Sequence, residues 1–213
     1  MAPAIKICGI STIEALDAAI AARADYVGFV FFPPSPRHVD SYAASALAVR
    51  SASDIGRVGL FVDADDDLIA DSVKAGRLDA LQLHGSETPE RVAEIKTRFG
   101  LPVWKAISVA SARDVDRAAA YRNVADLLLF DARTPADAAL PGGMGHRFDW
   151  TLLDAWRSIP GWGLAGGLTP QTVADAIEQL RPPLVDISSG VESAPGQKDP
   201  SLIMAFCKAA SGA

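Results

Sequence analysis

The feature that most constrains this chain is the regular alternation of short apolar segments with helical segments from one end to the other. Eight such pairs can be read, and the apolar segments show little strict alternation of polar and apolar residues. That pattern is typical of parallel strands covered on both faces. Eight right-handed βα units predict a closed, eight-stranded parallel (β/α)₈ barrel, the TIM-barrel form of the α/β class, more than an open doubly wound sheet.

Local signals place the boundaries of these units. The strands are predicted at 4–8, 26–32, 57–62, 80–84, 103–108, 126–131, 161–165 and 184–188. No G-x-G-x-x-G motif follows the first strand, which weakens the dinucleotide-binding alternative. Capping patterns predict the starts of several helices. These patterns are Ser11 with Glu14, Ser111, Thr88-Pro89, Thr169-Pro170 and Asp199-Pro200.

Length and composition limit the classes of function. A chain of 213 residues suits one barrel, so we expect a single domain over residues 1–213. The net charge of −6 argues against nucleic acid or an anionic membrane surface as the main partner. The chain has two cysteines, Cys8 and Cys207, which make neither the spacing of a zinc motif nor a disulfide framework. Without a visible secretory signal or a membrane-length apolar run, we expect a cytoplasmic protein.

Barrel enzymes carry their sites at the carboxyl ends of the strands. Cys8 ends the first strand, where it is either a site thiol or a small buried apolar residue. Asp131 closes an apolar strand far from the next helix, which favours a site role over a cap. Arg37 follows a proline-stiffened loop and could clamp a substrate carboxylate or lie on the surface. His84 has no acidic neighbour in sequence, so we expect a structural, hydrogen-bonded histidine.

Two small-residue turns follow the seventh and eighth strands. They are Gly166-Gly167 and Ser189-Gly190, at the position where barrels often bind phosphate. Glycines let backbone N–H groups approach an anion closely. Either turn alone could be only a tight turn, but the two on adjacent strands predict a phosphate site.

A series of short motifs spans nearly the whole chain. The segments are KICGI at 6–10, FFPPSPRH at 31–38, LQLHG at 81–85, LFD at 129–131, GGMG at 142–145 with FDW at 148–150, LAGGL at 164–168, and DISSGVE at 186–192 with GQKD at 196–199. In content and in order, this series resembles the motifs of the phosphoribosylanthranilate isomerase family.

The resemblance implies the isomerisation of N-(5-phosphoribosyl)anthranilate to 1-(2-carboxyphenylamino)-1-deoxyribulose 5-phosphate, an Amadori rearrangement of tryptophan biosynthesis. It assigns the general base to Cys8 and the general acid to Asp131. It places Arg37 at the anthranilate carboxylate, and the phosphate at Gly166, Gly167, Ser189 and Gly190. It implies no cofactor and no metal, because the protonated imine is itself the electron sink.

The assigned chemistry adds its own requirements. Asp131 has to hold a proton, which the apolar residues 127–130 would favour by desolvation. A thiol is mostly protonated at neutral pH, so some lowering of the pKa of Cys8 by nearby helix N-termini would help it to act as a base. Two residues depart from the family pattern: Met144 replaces a threonine, and Asp63 replaces an asparagine.

Other functions remain open. The related imidazole-pathway isomerase would carry an aspartate at position 8, and indoleglycerol-phosphate synthase would need a catalytic lysine, for which only Lys6 and Lys105 lie in suitable strands. A barrel that only binds a phosphorylated ligand is the non-enzyme alternative. The expected partner is a small phosphosugar, and the chain is expected to be a monomer or a homodimer. Cys207 is expected to be a packing residue of the last helix.

Overall fold

A closed barrel of eight parallel strands forms the centre of the computed structural model, which describes residues 2–52, 54–132 and 148–212. Each strand pairs with its neighbours in sequence, and the eighth closes on the first. The predicted fold is therefore confirmed. The barrel strands are β1 (Ala4–Cys8), β2 (Tyr26–Val30), β3 (Gly56–Phe61), β4 (Ala80–Leu83), β5 (Val103–Val109), β6 (Leu127–Ala132), β7 (Trp162–Leu164) and β8 (Leu184–Ile187).

Helices surround the barrel, and a small hairpin follows its last strand. The helices are α1 (Ile13–Ala21), α2 (Ser41–Ser51), α3 (Asp66–Gly76), α4 (Pro89–Phe99), α5 (Ala112–Arg117), α6 (Val173–Leu180) and α7 (Pro200–Ser211). Short 3₁₀ segments cover Ala118–Tyr121, Trp150–Trp156 and Ser189–Val191, and the hairpin strands are β9 (Glu192–Ala194) and β10 (Gln197–Lys198). No helix of the described ranges is both long and apolar enough to span a bilayer.

Alternation along β1 sets the direction of its side chains. Ile5 and Ile7 are buried in the main apolar core between strands and helices. Cys8 instead belongs to a separate small cluster with Val30 and Leu60. Because successive side chains of a strand point to opposite faces, Lys6 and Cys8 share the face opposite to Ile5 and Ile7. Lys6 and Cys8 therefore point into the barrel.

Several predicted caps are present. Thr88 caps α4 by accepting a hydrogen bond from Arg91 N at 3.3 Å, with Pro89 in the first turn. Asp199 caps α7 through Ser201 N at 2.8 Å, and Pro200 follows it. These side chains satisfy amides that have no partner inside the helix.

Three local predictions are wrong. The first helix is capped by Thr12, which accepts from Ala15 N at 3.2 Å, not by Ser11. The helix after β7 begins at Val173 instead of Thr169, because Thr169 N donates to Thr172 Oγ1 at 3.0 Å in a turn that delays the helix. The short amphipathic segment 148–156 also predicts a helix after the sixth strand, but the structure has the 3₁₀ segment Trp150–Trp156 there.

Candidate active site

Cys8 lies inside the barrel at the carboxyl end of β1, with 5% of its surface exposed. It is in register with Gly28 on β2. A Cβ atom at position 28 would lie 2.8 Å from Cys8 Sγ and 3.1 Å from Cys8 Cα. The thiol therefore occupies space that only a glycine on the neighbouring strand leaves open.

Lys6 lies on the same face of β1 as Cys8, and its side chain is fully buried. Its Nζ atom donates to Asp186 Oδ2 on β8 at 3.0 Å. Burial alone would lower the pKa of Lys6, but the negative charges of Asp186 and Cys8 raise it above its ordinary value. The ammonium is thus held protonated inside the barrel.

Burial is the largest influence on the thiol. It raises the pKa of Cys8, and the charges that oppose this rise are the ammonium groups of Lys6 and Lys198. The pKa of Cys8 is therefore raised in the protein without substrate, not lowered as would help a general base. Desolvation of a buried thiolate outweighs the nearby cations.

Asp131 points into the site from β6, next to His84 at the end of β4. Asp131 Oδ2 and His84 Nε2 are 3.3 Å apart, and both side chains are more than 90% buried. This separation is short enough for an ion pair, but the geometry does not make a hydrogen bond between the two atoms. The acidic partner that the sequence around His84 lacks is therefore supplied by the sixth strand.

Arg37 forms a bidentate ion pair with Glu192. Its Nε atom lies 2.7 Å from Oε1, and its second terminal nitrogen lies 2.8 Å from Oε2. Glu192 also accepts from Lys198 Nζ at 2.6 Å. Burial alone would raise the pKa of Glu192, but these two cations hold it below its ordinary value. Because Arg37 follows β2 and Glu192 follows β8, the pair bridges the two strands that flank β1.

The two small-residue turns follow β7 and β8, at the positions that the sequence predicts. Gly166 and Gly167 have φ angles of 84° and 64°, which favour glycine. Within the described part of the chain, neither amide donates a hydrogen bond. Ser189 and Gly190 form a 3₁₀ turn, in which a Cβ on Gly190 would lie 2.0 Å from Leu168 O. The two turns therefore pack directly on each other, with main-chain amides available for an anion.

Two other candidates at the strand ends are structural. Asp63 has φ 48° and accepts from Ser86 N at 2.7 Å, so it shapes the loops after β3 and β4. Lys105 Nζ donates to the Leu83, Gly85 and Ala106 carbonyls and to Glu87 Oε2. A saturated, buried lysine does not suit the catalytic role that a synthase would require. The segment 142–145, with Met144, lies outside the described residues.

Sequence reasoning missed five residues of this site. They are Lys6, Asp186, Glu192, Lys198 and Gly28. A signal existed for some of them, since Lys6 and Asp186 are charges inside apolar strands, where ionised groups are costly unless paired. Their partners are far apart in sequence, so the pairs themselves could not be read from it.

Comparisons with known proteins agree with this geometry. The family model described as N-(5'phosphoribosyl)anthranilate (PRA) isomerase matches residues 5–209. A protein of Paracoccus denitrificans named N-(5'-phosphoribosyl)anthranilate isomerase is 53% identical over 206 residues, which cover 97% of this chain and 96% of the relative. A relative of the same name in Rhodopseudomonas palustris strain BisA53 is 55% identical over 207 residues, covering 97% and 94%.

Solved structures are similar over the same length. The phosphoribosyl anthranilate isomerase of Thermotoga maritima superposes with a TM-score of 0.88 at 38% identity, covering 99% of this chain and 100% of that one. A phosphoribosyl anthranilate isomerase solved in complex with reduced 1-(o-carboxyphenylamino)-1-deoxyribulose 5-phosphate gives a TM-score of 0.86 at 37% identity, covering 99% and 100%.

Proposed function

The chain belongs to the phosphoribosylanthranilate isomerase family, and from this premise we propose that Cys8 and Asp131 are the base and the acid of its reaction. The reaction is the isomerisation of N-(5'-phosphoribosyl)anthranilate to 1-(2-carboxyphenylamino)-1-deoxyribulose 5-phosphate in tryptophan biosynthesis. The observation that carries the two assignments is that a thiol and a carboxylate, both buried, enter one barrel mouth from β1 and β6.

Asp131 opens the sugar ring. It donates a proton to the furanose ring oxygen, the bond from that oxygen to the anomeric carbon breaks, and the anthranilate nitrogen forms an iminium ion. The carboxyl group is nearly buried at the carboxyl end of β6, where it enters the barrel mouth. His84, at 3.3 Å, is the neighbour that orients it.

Cys8 acts next, as a thiolate. It removes the proton from the ribose carbon beside the iminium, and the electron pair of that bond forms an enolamine. The enolamine then loses its enol proton, gains a proton at the first carbon and becomes the ketone. The first ribose carbon is thereby reduced and the second oxidised, so the residues need to move only protons.

The remaining side chains and amides bind the ends of the substrate. Arg37 faces the anthranilate carboxylate, with a guanidinium already oriented by Glu192. The amides of Gly166 and Gly167, together with the turn at Ser189 and Gly190, hold the phosphate. Binding at both ends fixes the ribose between the acid and the base.

Single-site kinetics test the two assignments. We expect Cys8→Ala and Asp131→Asn each to lower kcat by about 10²–10⁴-fold, the usual contribution of a general acid or base. The fluorescence of the anthranilate substrate reports turnover, and Cys207→Ala, which removes the other buried thiol, is the matched control. Near-wild-type turnover in a folded Cys8→Ala or Asp131→Asn variant would refute that residue's role.

We also propose that residues 1–213 act as one domain, in the cytoplasm, on a phosphosugar as their only required partner. Every residue assigned above comes from one chain, so a monomer and a homodimer are both compatible with the site. One solved Thermotoga maritima relative is described as dimeric. Light scattering alongside activity at several dilutions distinguishes the two states: activity per chain that falls as a dimer dissociates would contradict a self-sufficient monomer.

A further inference from the structure

Lys6 is one of the buried charges to which the proposed acid, base and substrate contacts give no role. Its side chain has no exposed surface, and it lies two residues before Cys8 on the barrel-facing side of β1. An ammonium group has three N–H donors. One of them is used by Asp186 Oδ2 at 3.0 Å.

Stability alone does not account for such a pair. Taking two charges out of water costs several kcal/mol per ion, and apolar residues of similar volume are often as stable or more stable in their place. The pair is also incompletely satisfied, because Asp186 Oδ1 is buried and makes no hydrogen bond with the described residues. A role for Lys6 other than stability therefore has to come from the groups that its ammonium faces.

From the proposed role of Cys8 as a base, on which this step rests, we infer that Lys6 is the positioning residue that stabilises its thiolate, with Asp186 keeping Lys6 charged. A thiolate inside an apolar barrel is costly unless a cation lies beside it. Lys6 is a cation on the same strand and the same face. Asp186 is in register with Lys6 and accepts a hydrogen bond from its Nζ at 3.0 Å, which holds the ammonium inside the barrel.

The other charged groups around Cys8 support this assignment. Lys198 approaches from β10, but its three donors already have the acceptors Ser188 O, Ser188 Oγ and Glu192 Oε1. Glu192 and Arg37 pair with each other above β1. Asp131 and His84 enter from β6 and β4 and contact each other. Lys198 therefore acts on Cys8 through its charge. Within residues 2–52, 54–132 and 148–212, the ion pair with Asp186 leaves Lys6 with N–H donors for the thiolate.

The test is a titration of the thiol itself. Alkylation of Cys8 by iodoacetamide is followed against pH by peptide mass spectrometry, with no substrate present. We expect Lys6→Met to lower the alkylation rate at pH 8 by about tenfold, the effect of losing roughly 1.4 kcal/mol of thiolate stabilisation. Lys105→Met, which removes an equally buried and ion-paired lysine on β5, leaves the rate as in the wild type.

A second variant separates charge from folding. Lys6→Met with Asp186→Leu refills the barrel with apolar side chains and removes the uncompensated carboxylate. Its alkylation rate is expected between those of Lys6→Met and the wild type, because the opposing charge of Asp186 is also gone. An unchanged titration in both variants, or an equal shift in Lys105→Met, overturns the inference.

The two proposals fail separately. If Cys8→Ala keeps its turnover, Cys8 is not the base, whatever its titration shows. If Cys8→Ala is inactive but Lys6→Met titrates like the wild type, Cys8 remains the base and Lys6 is only a structural residue.

Discussion

Arg37 is held in a fixed orientation by its neighbours, as its proposed role in binding the substrate carboxylate requires. Its guanidinium is bound on two nitrogens by Glu192, and its alkyl chain lies against Gly9, where a Cβ would be 2.6 Å from Arg37 Cδ. A planar cation fixed in this way loses little conformational entropy when it binds a second carboxylate.

We therefore expect Arg37→Ala to raise KM by roughly 10- to 100-fold with a smaller change in kcat, since a hydrogen bond to a charged group contributes about 1.5–3 kcal/mol. Steady-state kinetics measure both constants. The control is Arg50→Ala, which removes another bidentate arginine, paired with Asp17 at an exposed site. An unchanged KM in Arg37→Ala would argue against the carboxylate clamp.

His84 is predicted to act through Asp131, which it contacts at 3.3 Å. We expect His84→Leu to lower kcat by up to about a hundredfold, because displacing a catalytic group by about 1 Å has effects of that size. A double-mutant cycle with Asp131→Asn tests the coupling. If the double variant is no slower than Asp131→Asn alone, the two residues act as a unit; simple additivity of the two losses would mean that they act independently.

At the scale of elements, the site is built by the contact of adjacent strands. β1 lies between β8 and β2, and each neighbour contributes something that β1 itself lacks. β8 brings the carboxylate of Asp186 to Lys6, and β2 leaves a space at Gly28 for the sulfur. The 3₁₀ turn after β8 packs on Leu168, which follows β7. Contacts between adjacent strands and their following loops therefore place both the Cys8 thiol and the two small-residue turns.

Gly28→Ala tests the space beside the sulfur. The new methyl group would meet Cys8 Sγ at 2.8 Å and the Cys8 backbone at 3.1 Å, so the thiol has to move. We expect a stability loss of about 1–3 kcal/mol from overpacking, together with a loss of kcat.

The matched control for that variant is Gly163→Ala on β7. Its methyl group would meet Leu184 Cδ2 at 2.8 Å and Leu129 Cδ1 at 3.0 Å, away from the thiol. Urea unfolding and turnover are measured for both variants. A similar fall of kcat in both would show that overpacking of the barrel, not displacement of Cys8, causes the loss.

At the scale of the whole molecule, the last helix, α7, packs against the barrel and buries the second thiol of the chain, Cys207. Cys207 is 2% exposed within the main apolar core, which confirms it as a packing residue. Burial raises the pKa of Cys207 from 9.0 to about 11. The folded protein therefore keeps this proton at a pH where the unfolded chain has released it.

This difference predicts a loss of stability in alkali. Below pH 9 the thiol is protonated in both the folded and the unfolded state, so burial of Cys207 makes its full contribution to stability. That contribution is lost as the pH rises from 9 to about 11. The difference between the two pKa values corresponds to roughly 2–3 kcal/mol in the free energy of unfolding. Urea unfolding at several pH values measures the slope. Cys207→Ala should have a lower stability at pH 7 but a shallower decline above pH 9, and an unchanged decline would contradict the assignment.

The sequence by itself determined the eight βα units, several helix starts and the placement of Cys8 and Asp131 at strand ends. These features depend on residues close together in the chain: apolar runs, N-cap side chains and turn glycines. Its errors were also local, as at Thr169, where a side-chain hydrogen bond competes with the start of a helix.

Only the tertiary structure decided which charges meet. Lys6 and Asp186 are 180 positions apart, and Arg37 and Glu192 are 155 apart. Asp131 reaches His84 from two strands away. No periodicity or motif spacing encodes such pairs, because they arise only when distant strands come together in the closed barrel. Burial inside the closed barrel then makes each of these charges costly unless it is paired. The chemistry of the site therefore depends on the closing of the barrel as much as on the residues themselves.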